Sequence, residues 1–221
     1  MSYLIRILLP DRPGSLGHLA EAIGSTGGDI QSVDVVEAFP DGTVMDDMVV
    51  SLPNGVMADA LITAAHDVEG VEVDSIRPFS GTVDRRGQIR MLADVASARN
   101  QANSLAHLID NIPRVLTSTW AILLATGDGK LHRVTASPAA PEDDGTTPDV
   151  PEIDTARALR PDTEKWIPES WALLDTALTA APLHNRNELL ILGRVGGPDY
   201  QPSEVEHFGN LATILGKLMD S

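Results

Sequence analysis

Tyr3-Leu4-Ile5-Arg6-Ile7-Leu8-Leu9-Pro10-Asp11-Arg12-Pro13-Gly14-Ser15-Leu16-Gly17 is an apolar run that ends in a charged Pro-Gly corner. Residues 3–9 read as a strand. Just past the corner, Leu16, Leu19, Ala20 and Ile23 recur at helical spacing, so the corner joins a strand end to a helix start. Ser15 is the candidate cap of that helix. The first amides of a helix lack an intrahelical partner and carry the positive end of its dipole, to which Arg12 adds charge. Such a corner suits a carboxylate or a phosphate, and Gly14, with no Cβ, lets a ligand approach the backbone. The competing reading is a turn that needs Pro13 and Gly14 for geometry alone.

Outward from the corner, Gly27-Gly28 breaks the helix of residues 15–25. Residues 29–38 read as a second strand, in which Val33, Val35 and Val36 suit a pleated surface. Pro40-Asp41-Gly42 is a turn signal, and residues 43–52 form the returning strand. Pro53-Asn54-Gly55 ends it. Residues 58–67 carry Leu61, Ile62 and Ala65 on one helical side, and residues 71–77 are a fourth strand. The order βαββαβ predicts a four-stranded antiparallel sheet with two helices on one face, the ferredoxin-like arrangement.

Asp11-Arg12-Pro13-Gly14-Ser15-Leu16, followed by Gly27-Gly28-Asp29-Ile30, resembles the ACT domain. In that family a strand ends in a D-R-P-G type corner, a helix follows, and a Gly-x-Asn/Asp-Ile segment opens the second strand. The resemblance covers the first third of the chain; Asp29 stands where Asn is frequent. It implies that an amino acid or similar metabolite is held between two copies of the chain. The implied lining is Asp11, Arg12, Pro13, Gly14, Ser15, Leu16 and Gly17, together with Gly28, Asp29, Ile30 and Gln31. A ligand carboxylate would sit on amides near Gly14 to Gly17, with Asp29 or Asp11 meeting an ammonium group.

A boundary falls at residues 78–86. Residues 88–112 then read as one long helix, with Ile89, Leu92, Ala102, Leu105 and Ile112 in its apolar rhythm and Pro113 stopping it. That helix is a candidate dimer seam or packs on its own domain. A strand at 116–125, a hairpin turn at Gly127-Asp128-Gly129 and a return at 130–136 follow. Residues 137–152, rich in Pro and acid, are expected to be a mobile surface loop. Residues 169–180 read as a short helix, 189–194 as a strand and Gly196-Gly197-Pro198 as a turn. Residues 202–219 are a last helix, capped by Ser203, with Val205, Phe208, Leu211, Ala212 and Leu215 facing the core. This order, with Glu188-Leu189-Leu190-Ile191-Leu192-Gly193-Arg194 and a helix opening Pro202-Ser203-Glu204, is similar to the GAF domain. That family binds cyclic nucleotides, cofactors or small molecules, or serves only to dimerise. The expected fold is α+β: a ferredoxin-like ACT domain at residues 1–79, a linker at 80–87, and a GAF-like antiparallel sheet with flanking helices at 88–221.

Composition narrows the function. The formal charge is -16, from 32 acidic and 16 basic residues, and no basic cluster exceeds Asp84-Arg85-Arg86, so neither nucleic acid nor an anionic membrane is an expected partner. No cysteine is present, which removes disulfides, thiol nucleophiles and thiolate metal sites. Without a signal-peptide pattern or a spanning apolar run, a cytoplasmic protein is expected. Asp46-Asp47 interrupts an apolar strand; alternation sends the two carboxylates to opposite faces, one of them towards the helices or an interface, and protection of a sheet edge competes with a ligand role. His18, His66, His107, His132, His184 and His207 form no close pair at ligand spacing, and Glu204, Glu206 and His207 read as a solvent face. Ser97, Ser104 and Ser118 lack a nucleophile elbow, and the glycines around Arg194 lack the Lys-Ser/Thr of a phosphate loop. The expectation is a homodimeric, non-enzymatic sensor or regulator of an amino-acid-type ligand, with no cofactor and no metal. An enzyme with a site in the second domain and a protein-interaction scaffold are the alternatives.

Overall fold

The computed structural model describes residues 1–79, 85–183 and 187–220, and the chain divides into two units, Met1–Asp84 and Arg85–Ser221. The first unit runs β1 (Ser2–Pro10), α1 (Ser15–Ser25), β2 (Asp29–Ala38), β3 (Thr43–Ser51), α2 (Asp59–His66) and β4 (Glu72–Pro78). Its sheet order is β2-β3-β1-β4, with every neighbouring pair antiparallel. This is the ferredoxin-like fold. Alternation explains its core. Ile5, Ile7 and Leu9 of β1 join Met48 and Val50 of β3, and Leu19, Ile23 and Leu61 of the two helices close over them.

The N-cap of α1 is Gly14, not Ser15. Gly14 has φ 96°, and no side chain bonds the helix start. Ser15 is instead the first of the buried positions Ser15, Leu19 and Ile23 that form the inner stripe of α1. At the other end of α1, Gly28 is required for close packing: a Cβ there would lie 2.9 Å from Ile23 Cγ2 and 3.1 Å from Val50 Cγ1. Gly28→Ala is therefore expected to cost about 1–3 kcal/mol through overpacking, read as a lower urea midpoint for the first unit.

The second unit runs α3 (Arg85–Ser97), α4 (Gln101–Val115), β5 (Trp120–Gly127), β6 (Lys130–Ala136), β7 (Arg157–Leu159), a 3-10 turn at Glu169–Trp171, β8 (Ala177–Pro182), β9 (Glu188–Arg194) and α5 (Pro202–Met219). The antiparallel sheet has the order β6-β5-β9-β8-β7. One core joins the sheet to the three helices through Val95, Ile112, Leu123, Leu192, Phe208 and Leu215. The opposite face is covered by loops around Trp120, Ile122, Ile191 and Trp171.

Several expectations for this unit are corrected. The helix expected over 88–112 is two helices, and the side chain of Asn100 caps the second by accepting from the Asn103 amide at 2.9 Å. Arg85, Arg86 and Gly87, placed in a linker by sequence, belong to α3; residues 80–84 lie outside the described residues. Pro113 lies inside α4, two residues before its end, and does not stop it. The next strand starts at Trp120 instead of Leu116, because Thr117 is left-handed (φ 49°). The short helix expected over 169–180 is a 3-10 turn followed by strand β8; Leu174 (φ 59°) and Asp175 (φ 54°) break the helical path between them. The cap of α5 is Gln201 instead of Ser203: Gln201 and Glu204 form a reciprocal capping box. Residues 137–152 hold no helix or strand element, yet they are tied along β6. Leu131 N donates to Pro148 O at 2.8 Å, Arg133 Nη1 to Pro141 O at 2.8 Å and Lys130 Nζ to Asp149 Oδ1 at 2.6 Å.

Candidate functional site

The corner after β1 is anchored by backbone hydrogen bonds. The Asp11 amide donates to Gly42 O at 2.8 Å, which ties the corner to the β2–β3 hairpin. That hairpin is itself braced: Thr43 Oγ1 and the Thr43 amide donate to Asp41 Oδ1 at 2.7 and 3.0 Å, and they hold the Asp41 carboxyl below its ordinary range. Arg12 N donates to Pro10 O, Ser15 N to Arg12 O and His18 N to Gly14 O. The amides of Leu16 and Gly17 receive no partner among the described residues. Asp11, Arg12, Pro13, Gly14, Leu16 and Gly17 are exposed, and Ser15 is buried. A Cβ on Gly14 or Gly17 would meet nothing within 4 Å among the described residues.

The second implied segment is elsewhere. Asp29 pairs with Ser51, which pairs with Ser2, whereas Thr43 pairs with Pro10. Gly28, Asp29, Ile30 and Gln31 thus lie at the opposite end of the sheet from Asp11 to Gly17. The 11 residues of α1 separate them, a rise of about 16 Å. One copy of the chain does not bring the two segments together. Asp29 also has a partner of its own, since Gln31 Nε2 donates to Asp29 Oδ2 at 2.5 Å.

Asp46 and Asp47 point to opposite faces of β3, as alternation requires. Asp47 faces Arg6, which donates to it twice, Nε to Oδ1 at 2.7 Å and Nη2 to Oδ2 at 2.8 Å, with both side chains buried. Edge protection does not explain either residue, because β3 lies between β2 and β1. Asp46 is in register with Ile7, so it shares the helix-covered face. It is 3% exposed, and its Oδ1 has no hydrogen-bond partner. Burial pushes its pKa up to about 6, assisted by the negative charges of Asp34, Asp47 and Asp11.

In the second unit, the loop-covered face is filled by the protein's own aromatics. Trp120 packs edge-on to Trp171 at 6.5 Å, and Trp166 packs edge-on to Trp171 at 6.3 Å. A Cβ on Gly193 would fall 2.1 Å from Trp120, so glycine at this strand position makes room for the indole. Glu164 pins the covering loop by accepting from Arg157 Nη1 and Nη2, the Arg160 amide and Trp166 Nε1. The Arg157 bonds, above all, hold its carboxyl down at about 2. An open groove of about 890 Å³ lies between α5 and β7, lined in part by Arg157, Leu183, Val205 and Gly209. The Arg157 guanidinium on its wall is already engaged by Glu164. Sequence reading also passed over Arg194. This side chain is fully buried and links Thr117, Pro198 and Glu204.

Among the described residues, no group of three or more His, Asp or Glu is placed to hold a metal ion. No helix there is long and apolar enough to cross a membrane. His207 Nε2 lies 3.0 Å from Gln88 Oε1 and His132 Nε2 lies 3.3 Å from Gly127 O; His184 lies outside the described residues.

No protein-family model matches the sequence, and no curated protein shows significant similarity to it. Among solved structures, the chain is similar to the GAF domain of a phosphoenolpyruvate-protein phosphotransferase from Coxiella burnetii. Identity is 12%, coverage is 61% of this chain and 91% of that one, and the TM-score is 0.50. The corresponding GAF domain from Acinetobacter matches at 11% identity over 61% and 91%, with a TM-score of 0.49. A candidate glycine cleavage system transcriptional repressor matches at 12% identity over 97% and 91%, with a TM-score of 0.29. The share of the chain covered by the Coxiella domain exceeds the first unit and fits the second. The fold of residues 85–221 is therefore GAF-like: an antiparallel sheet with helices on one face and loops on the other.

Proposed function

We propose that this protein is a non-enzymatic sensor whose first unit acts as an ACT-type receptor for an amino acid, with the GAF-like unit as responder. The observation that carries the reading is the corner at Asp11 to Gly17. It is exposed, and it presents two unpartnered helix amides beside a left-handed glycine. A ligand carboxylate placed there completes hydrogen bonds that the chain leaves open. Gly28, Asp29, Ile30 and Gln31 lie at the far end of the sheet, so a site using both segments requires a homodimer. In it the corner of one protomer meets Asp29 of the partner subunit. The tryptophan-filled face of the GAF-like unit favours a responding role over a second small-molecule site. Signalling then requires a ligand that prefers one of two dimer arrangements, because equal binding to both shifts nothing.

Isothermal titration of the full chain with each of the twenty amino acids tests the reading, alongside sedimentation velocity. The expected result is saturable heat from one amino acid or a few related ones, with a dimer in the ligand-bound state. Absence of heat from all twenty rejects it.

A further inference from the structure

We propose that Asp46 receives the ligand's ammonium group, so that the first unit selects amino acids over their hydroxy-acid counterparts; this rests on the corner being the ligand site. The placement follows from register. On the helix-covered face of β3, Val44, Asp46, Met48 and Val50 stand opposite Leu9, Ile7, Ile5 and Tyr3. The inner stripe of α1 is Ser15, Leu19 and Ile23. Ile23 and Val50 both flank Gly28, which fixes the far end. From there, four residues of helix advance about 6 Å and two of strand about 7 Å, so Leu19 falls over Met48 and Ser15 over Asp46. Asp46 thus lies beneath the first turn of α1, at the same end as the free amides of Leu16 and Gly17.

Towards β2, the covering thins to a single exposed side chain. Val35, in register with Asp46, is 61% exposed. A carboxylate that is 3% exposed with an unpartnered oxygen calls for a cation. The charged groups acting on it are Asp34 of β2, Asp47 beside it on β3 and Asp11 of the corner. Arg6 of β1 is paired with Asp47, and the inner stripe of α1 brings only Ser15, Leu19 and Ile23. A group with positive charge at one end and negative charge at the other satisfies Asp46 and the amides together, which describes a zwitterion. These acids are not gathered as metal ligands: among the described residues, no group of three or more His, Asp or Glu is placed to hold a metal ion.

The test titrates the wild-type full chain and Asp46→Asn with each of the twenty L-amino acids, at pH 7.5 and 5.0, and with the hydroxy acids of the same side chains. Whichever amino acid binds the wild type should bind Asp46→Asn at least tenfold more weakly. Its hydroxy-acid counterpart should bind the wild type at least tenfold more weakly, and both proteins alike. Wild-type affinity should fall about tenfold between pH 7.5 and 5.0 as Asp46 takes up a proton, while that of Asp46→Asn stays level. The amino acid's own backbone charges do not change in this range. Equal affinity of the amino acid for both proteins, or a hydroxy acid that binds as well as the amino acid, overturns the role of Asp46 and leaves the corner reading standing. Silence from the whole panel overturns the corner reading and this inference with it. If Asp46→Asn does not fold, the wild-type pH profile and the amino-to-hydroxy comparison decide alone.

Discussion

Arg194→Ala is expected to destabilise the second unit by about 3–5 kcal/mol, because it removes one member of a buried charge pair and strands its partners. Arg194 is fully buried. It donates through Nε to Thr117 O at 3.1 Å, through Nη1 to Pro198 O at 3.2 Å, and through Nη2 to Thr117 Oγ1 at 3.0 Å and Glu204 Oε1 at 2.7 Å. Its guanidinium also stacks 4.1 Å from the centre of the Tyr200 ring. Three segments meet on this one side chain: the left-handed turn at Thr117, the turn at Pro198, and the start of α5 through Glu204. Alanine removes the donor shared by two carbonyls and one oxygen of the Glu204 carboxylate, whose other oxygen keeps the Gln201 amide. Lysine does not rescue the site, since an ammonium cannot present the planar fork that these acceptors surround; Arg194→Lys should recover less than half of the loss. Tryptophan fluorescence reads the effect selectively, because Trp120, Trp166 and Trp171 all lie in the second unit and are the only tryptophans of the chain. A fall in Tm of roughly 10 °C or more is expected. A shift of a degree or two would show that the acceptors find water at little cost.

Arg194 also shows where sequence reading stops. The glycines around it mark a strand running into a turn, and that much is visible in the residues. That its guanidinium turns inward to join Thr117 to Glu204 depends on the pairing of β5 with β9 and on where α5 begins, which no local pattern encodes. The first unit was more legible: each of its strands alternates or is bounded by Gly or Pro, and each helix has a clear apolar stripe. β8 was less so. It lies between β9 and β7 and is buried on both faces, Leu178 and Ala180 on one side and Ala181 on the other, so its sequence lacks the period of two that marks a half-exposed strand. The division between α3 and α4 was missed because the apolar rhythm continues across it, and the only marker is the capping side chain of Asn100. At the candidate site, the corner was legible as a motif and the opposite facing of Asp46 and Asp47 followed from alternation. The neighbours of β3 did not. Only the order β2-β3-β1-β4 and its register reveal that Asp46 is an interior carboxylate on the helix-covered face.

Asp46→Asn is expected to stabilise the unliganded first unit by about 1–3 kcal/mol at pH 7.5, an unusual direction for a change at a buried position. The sign follows from the shift. The Asp46 carboxyl titrates near 6 in the folded protein against 3.8 ordinarily, because burial and three neighbouring acids disfavour its ionised form. Between these two values the folded state binds the extra proton, so stability falls as pH rises from about 4 to about 6. Above 6 the cost is fully present, on the order of 2–3 kcal/mol for a shift of this size. Asparagine keeps the shape and removes the charge, so it avoids that cost at neutral pH and gains nothing near pH 4. The difference between wild type and variant should therefore shrink steadily from pH 7 to pH 4. Measuring the difference matters, because acid also weakens pairs such as Arg157–Glu164 equally in both proteins. Urea unfolding followed by far-UV circular dichroism, with tryptophan fluorescence identifying the second unit's transition, gives the profile. A variant less stable than the wild type at pH 7.5 would mean that the ionised carboxylate is well accommodated in the free protein, and the demand for a cation beneath α1 would disappear.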